Sequence, residues 1–233
     1  MTDSKGRYPY FTSFLTKREL VFAAIALVMH VFVLPRILIK FIDAGKLDSG
    51  TANFILYAVM ALFTLIYAWG FLRRDFNALI DRFFPCVLEI IGGYLIMMCC
   101  NTVTALLLSL FERTDNPNNE AIIGMALDNG GMISATVIFL APIVEEVLFR
   151  GGIFGFLLRY NRAAAYAVSV AAFALYHLWG FILQDASNLV YLVQYIPAGI
   201  ILCRLYERGS TIWEPMGMHA LVNFVSMRAI ELL

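Results

Sequence analysis

The stretch "FLAPIVEEVLFRGGIFGFLL", residues 139–158, decides how this chain is read. It has the length and greasiness of a membrane span, which needs about 20 predominantly apolar residues. Yet Glu145, Glu146 and Arg150 stand in its middle. A charge at the bilayer centre costs about 2.5–3.5 kcal/mol on insertion scales, so the three together would cost on the order of 8–10 kcal/mol if they faced lipid. The spacing shows how that cost falls. Glu146 and Arg150 are at i and i+4 on one helix face, carboxylate first, the favourable order for an ion pair. Glu145 is turned about 100° away from Glu146 and has no local partner. A carboxylate shielded from water and left without a cation is a candidate proton acceptor.

The rest of the chain agrees with a membrane setting. Of its 233 residues, 61% are hydrophobic and 15% charged, whereas a soluble domain is about half apolar and a quarter charged. The formal net charge is zero, which excludes the basic surface that nucleic acid demands. Cys86, Cys99, Cys100 and Cys203 form no CxxC pair, so zinc-knuckle and thioredoxin readings fail. Seven segments are candidate spans, at 19–35, 52–72, 85–111, 132–158, 163–182, 188–206 and 211–231. They predict an all-α fold, a polytopic membrane helix bundle of about seven transmembrane helices within a single integral membrane domain, residues 1–233. A break in the third span at Gly92-Gly93 is an open alternative, and the polar connection at 112–131 is expected to carry a short amphipathic helix on the membrane surface. With the N-terminus inside, eleven Lys and Arg fall on the cytoplasmic side and five outside, as the positive-inside rule favours. Residues 1–20 read as a retained cytoplasmic tail.

Two further spans bring polar groups to a similar depth. "FALYH" places Phe173 and His177 on one face, and "HALVN" places His219 and Asn223 one turn apart. From the helix rise, His177 lies about 21 Å from the cytoplasmic end, His219 about 12 Å and Glu145 about 20 Å, so the groups can meet in one cavity. His30, in the first span, has no such company and reads as structural. A buried Glu, two His and an Asn are the parts of a water-activating hydrolase: the carboxylate and an imidazole aim a water, and the other imidazole and the amide donate to an oxyanion. Glu145 or Glu146 with His177 and His219 would equally make a two-His-one-carboxylate zinc site. No Ser stands in a GxSxG setting and HExxH is absent, so those nucleophile and zinc-helix arrangements are excluded.

The ordered set EExxxR (Glu145 to Arg150), FxxxH (Phe173 to His177) and HxxxN (His219 to Asn223) resembles the CPBP family, the CAAX prenyl proteases and bacteriocin-processing enzymes also called the Abi family. The resemblance covers about residues 130–230. It implies an intramembrane, glutamate-dependent endopeptidase, often described as a metalloprotease, in a bacterial plasma membrane. Glu145 would be the base acting with His177, while His219 and Asn223 would stabilise the oxyanion. Glu146, Arg150 and Phe173 would support the site. The implied partners are membrane lipid and a peptide or prenylated protein substrate. The alternatives are a non-enzymatic scaffold regulating a sensor kinase or an immunity pathway, and a proton-coupled transporter using the same groups as a relay.

Overall fold

The computed structural model describes residues 11–232, and among them every regular element is helical. The chain runs through α1 (Lys17–Asp43), α2 (Ser49–Tyr67), α3 (Trp69–Asp81), α4 (Phe83–Ser109), α5 (Pro117–Leu158), α6 (Arg162–Gln184), α7 (Ala186–Gly209) and α8 (Trp213–Ile230). Starts are set by side chains that satisfy orphan backbone donors. Thr16 and Glu19 form a reciprocal capping box on α1. Asp48, Asn116 and Asn161 cap α2, α5 and α6, and Pro117 takes the first helical position of α5.

Six of these helices, α1, α2 and α4 to α7, are long and apolar enough to cross a membrane. Helix α8 is not among them, because Glu214, His219, Asn223 and Arg228 dilute its apolar character. Helix α4 is continuous through Gly92 and Gly93, so the break considered there is not made. Gly93 serves packing instead: a Cβ would lie 3.2 Å from Ile201 and from Met218. The connection at 112–131 also differs from expectation. From Pro117 it is already α5, which bends at Asn129 (φ −148°, ψ 58°) and continues into the charged span. Large apolar side chains such as Leu62, Ile66, Leu88, Leu106 and Leu183 point outward, as a lipid-facing surface requires.

Helix α5 is the centre of the bundle. Of its apolar window 56% is buried, against 17–33% for the other five membrane-length helices. It packs against α1, α2, α6 and α8. Its path, like that of α1, is set by a proline and a local widening of the turn before it. In α1 the Leu34 N–H donates to the Met29 carbonyl, and in α5 the Ala141 N–H donates to the Thr136 carbonyl. Both are i to i−5 bonds, and each ends one residue before a proline, Pro35 or Pro142. A proline ring clashes with the carbonyl four residues back, and an extra residue in the turn makes room. A third wide segment, Val147–Phe154, follows the glutamates and contains Gly151 and Gly152.

Basic residues gather at one end. Arg74 donates to the Phe14 carbonyl, Arg159 to that of Leu15, Arg82 to those of Arg208 and Gly209, and Arg162 pairs with Glu207 at 2.7 Å. There, residues 11–16 tuck against α3 and the α7–α8 turn. The Ser13 hydroxyl donates to the Asp75 carboxyl, which also accepts the Ile212 N–H at 2.9 Å. The Tyr206 hydroxyl donates to the Ser13 carbonyl, and Thr211 Oγ1 to that of Asp75 at 2.7 Å. Burial pushes Asp75 up to about 6, against the hydrogen bonds from Ser13 and Ile212 and the charge of Arg74. A carboxyl raised on folding contributes stability that is full below its unfolded value near 3.8 and lost as pH rises through about 6. Wild-type stability in detergent should therefore fall relative to Asp75→Asn between about pH 4 and pH 7, by up to about 3 kcal/mol. Thermal unfolding followed by tryptophan fluorescence, with Trp213 bonded to Leu72 beside this network, reads it. A difference that does not vary with pH would refute the assignment.

Candidate active site

The charges of the central helix are closed off by protein. Arg150 Nη1 donates to Glu146 Oε1 at 3.0 Å, with both side chains fully buried. The guanidinium carbon lies 4.2 Å from the centre of the Phe173 ring, so the cation rests on an aromatic face on its other side. The same Glu146 oxygen accepts from His219 Nδ1 at 2.7 Å. One carboxylate thus joins α5 to α6 through Arg150 and Phe173, and to α8 through His219.

Two tautomers follow from these bonds. A carboxylate can only accept from an imidazole, so His219 carries a proton on Nδ1. His177 Nδ1 lies 2.8 Å from the Phe173 carbonyl, an acceptor only, so it too is protonated on Nδ1. Both rings therefore present Nε2 to the remaining carboxylate. Glu145 Oε2 is 3.7 Å from His177 Nε2 and 3.9 Å from His219 Nε2, and it has no hydrogen-bond partner. These gaps are too long for direct hydrogen bonds and suit a bridging small molecule. The His177 ring is held by Tyr195, stacked at 4.7 Å between centroids, and by Phe173 edge-on at 4.5 Å.

Asn223 is one helical turn beyond His219, but its amide does not reach Glu145. It donates to the Val137 carbonyl at 2.7 Å. The local geometry explains why. The Ala141 N–H that would normally bond Val137 has slipped to Thr136, and the next residue, Pro142, has no N–H. Asn223 satisfies the carbonyl orphaned by the wide turn and ties α8 to α5.

The other oxygen of Glu145 meets residues that sequence reading missed. Tyr57 donates to Glu145 Oε1 at 2.7 Å, Tyr57 and Tyr176 are 2.7 Å apart through their hydroxyls, and His30 Nε2 lies 2.6 Å from the Tyr176 hydroxyl. His30 is 1% exposed and stands in the wide turn before Pro35. The available signal was a pair of tyrosines in mid-span, where a phenol needs a partner. For zinc, the donor types are right: two imidazole nitrogens and a carboxylate. Among the described residues no group of three or more His, Cys, Asp or Glu that could hold a metal ion is found.

Residues 129–225 match the family model described as "Type II CAAX prenyl endopeptidase Rce1-like". Over this part the chain is similar to that family. The Rce1-like segment contains Glu145, Glu146, Arg150, Phe173, His177, His219 and Asn223, and excludes His30 and Tyr57. "Putative membrane peptidase YdiL" of Bacillus subtilis is 30% identical over 119 residues, 50% of this chain and 45% of that protein. The "UPF0177 protein in abiGi 5'region" of Lactococcus lactis subsp. cremoris is 33% identical over 98 residues, 42% of this chain and 38% of that protein. The match to "UPF0177 protein YxdF" of Lactococcus lactis subsp. lactis is 33% over 94 residues, 40% of this chain and 48% of that protein. The chain thus spans less than half the length of these relatives, and no solved structure matches it significantly.

Removing Arg150 leaves Glu146 buried with His219 alone. Arg150→Leu should lower thermal stability in detergent by about 3–5 kcal/mol, the cost of an uncompensated buried charge. Exposed surface substitutions such as Arg228→Leu should change it by less than about 0.5 kcal/mol. Equal losses for both would show that the buried pair contributes nothing special.

Proposed function

We propose that this protein is an intramembrane endopeptidase in which Glu145 and His177 activate water against a peptide carbonyl. One observation carries the reading: Glu145 Oε2 is buried, unpartnered and faced by the Nε2 atoms of both histidines. A water held there donates one hydrogen to Glu145 Oε2 and the other to His177 Nε2. As the water oxygen bonds to the carbonyl carbon, its proton passes to Glu145 and the carbonyl pair moves onto oxygen. Collapse of that adduct breaks the C–N bond, and the leaving amine takes the proton from Glu145. His219, with Nδ1 engaged by Glu146, donates to the oxyanion through Nε2–H in its imidazolium form. The second amide N–H of Asn223, beyond the one given to Val137, is the other donor in this reading.

The substrate in this reading is a peptide segment presented from the bilayer, either a leader-type peptide or a prenylated segment, in keeping with the words "CAAX prenyl endopeptidase" in the family description. A bacterial plasma membrane accords with the sources of the relatives. A cytoplasmic N-terminus accords with the basic end formed by Arg74, Arg82, Arg159 and Arg162.

The test is cleavage of candidate membrane-anchored peptides by purified protein and by Glu145→Gln, which keeps size and polarity but removes the base. Turnover should fall by about 10³-fold or more, since general-base catalysis supplies about 10²–10⁴. A non-enzymatic scaffold predicts no cleavage by either form. Undiminished cleavage by Glu145→Gln would overturn the assignment of the base.

A further inference from the structure

The three hydroxyl and imidazole groups behind Glu145 form a chain with a single direction. Glu145 Oε1 accepts from Tyr57, and a phenol has one proton to give. The Tyr57 oxygen must then accept from Tyr176, 2.7 Å away. Tyr176, its proton spent, must accept from His30, whose Nε2 is 2.6 Å distant. His30 is thereby fixed as the Nε2–H tautomer. Its Nδ1 is the bare lone pair, and this nitrogen has no hydrogen-bond partner. An imidazole can end such a chain because one ring nitrogen donates while the other stays silent.

We infer that His30, Tyr176 and Tyr57 are positioning residues that hold Glu145 Oε1 and so leave Oε2 as the oxygen facing His177 and His219. The inference rests on the peptidase reading above. It assigns a function to the first and second helices, because His30 and Tyr57 lie outside the Rce1-like segment. The geometry of the chain is tightly set. His30 and Tyr176 stack with centroids 5.5 Å apart, His30 meets Tyr57 edge-on at 5.0 Å, and Tyr176 packs on Phe149 at 5.3 Å. His30 occupies the wide turn forced by Pro35. Without the phenol, either carboxylate oxygen could turn toward the histidines, and the reacting geometry would be one of several.

The experiment combines kinetics with an infrared signature that needs no substrate. Tyr57→Phe, Tyr176→Phe and His30→Leu each break the chain while preserving apolar volume. His30→Gln retains an N–H donor that can reach Tyr176. In purified protein, kcat should fall by about tenfold for the first three variants, the loss of one charge-assisted hydrogen bond, with KM within about twofold. His30→Gln should recover most of the rate. A purely structural role would instead lower activity in proportion to folded protein, with no rescue by Gln.

In parallel, the antisymmetric carboxylate stretch of Glu145 is isolated as the infrared band lost in Glu145→Gln. It should shift in Tyr57→Phe, Tyr176→Phe and His30→Leu, and return toward the wild-type position in His30→Gln. An unshifted band in the three chain-breaking variants overturns the inference. Should no peptide be cleaved even by wild type, the peptidase reading fails, and the infrared arm alone decides whether the chain holds Glu145.

Discussion

The bundle depends on one oxygen atom. Glu146 Oε1 is bonded to Arg150 at 3.0 Å and to His219 at 2.7 Å, where water cannot share the charge. A charge in hydrocarbon must be closed by its own protein, and this closure draws in three helices. Arg150 needs the Phe173 face on α6, and Glu146 needs an imidazole from α8. Helix α8, the least apolar of the long helices, gains a fixed place through that contact. The ion pair is thus less a contribution to net stability, which buried pairs rarely supply, than a rule about which helices must meet.

Proline shapes the same region from the backbone. Pro142 removes one donor and forces a wide turn that removes another from Val137, and Asn223 repairs the loss. The second anchor between α5 and α8 therefore exists because the helix is imperfect. Pro35 has the parallel effect in α1, where the widened turn carries His30 toward Tyr176. In both places a helix defect sets where a polar group stands.

The charged span, the i, i+4 ion pair and the convergence of His177 and His219 on Glu145 were legible because local spacing and membrane cost determine them. Six spans were legible for the same reason. The hydrogen bonds of Asn223 and His30 were not. HALVN places Asn223 on the face of His219, yet its amide goes to a carbonyl of α5 freed by the wide turn before Pro142, which the spacing within HALVN does not show. His30 seemed isolated because its partners, Tyr176 and through it Tyr57, are 146 and 27 residues away in the sequence. Helix α3 and the docking of residues 11–16 were missed because the polar connections were read as loops; the burial of Phe71, Leu72 and Asp75 is a tertiary effect.

Adjacent glutamates with identical chemistry are separated by what surrounds them. Glu146 shares one oxygen between a guanidinium and an imidazole, so it is fixed in place and its charge is spoken for. Glu145 touches no cation directly. Its one anchor is a neutral phenol, and its other oxygen faces the Nε2 atoms of two imidazoles without a direct hydrogen bond. The 100° between consecutive helical residues is enough to send one carboxylate into the packing of the bundle and the other into the space between α5, α6 and α8. A membrane helix can thus carry two charges for unlike purposes: Glu146, bonded to Arg150 and His219, ties the helices together, while Glu145, without a cation partner, faces the two histidines.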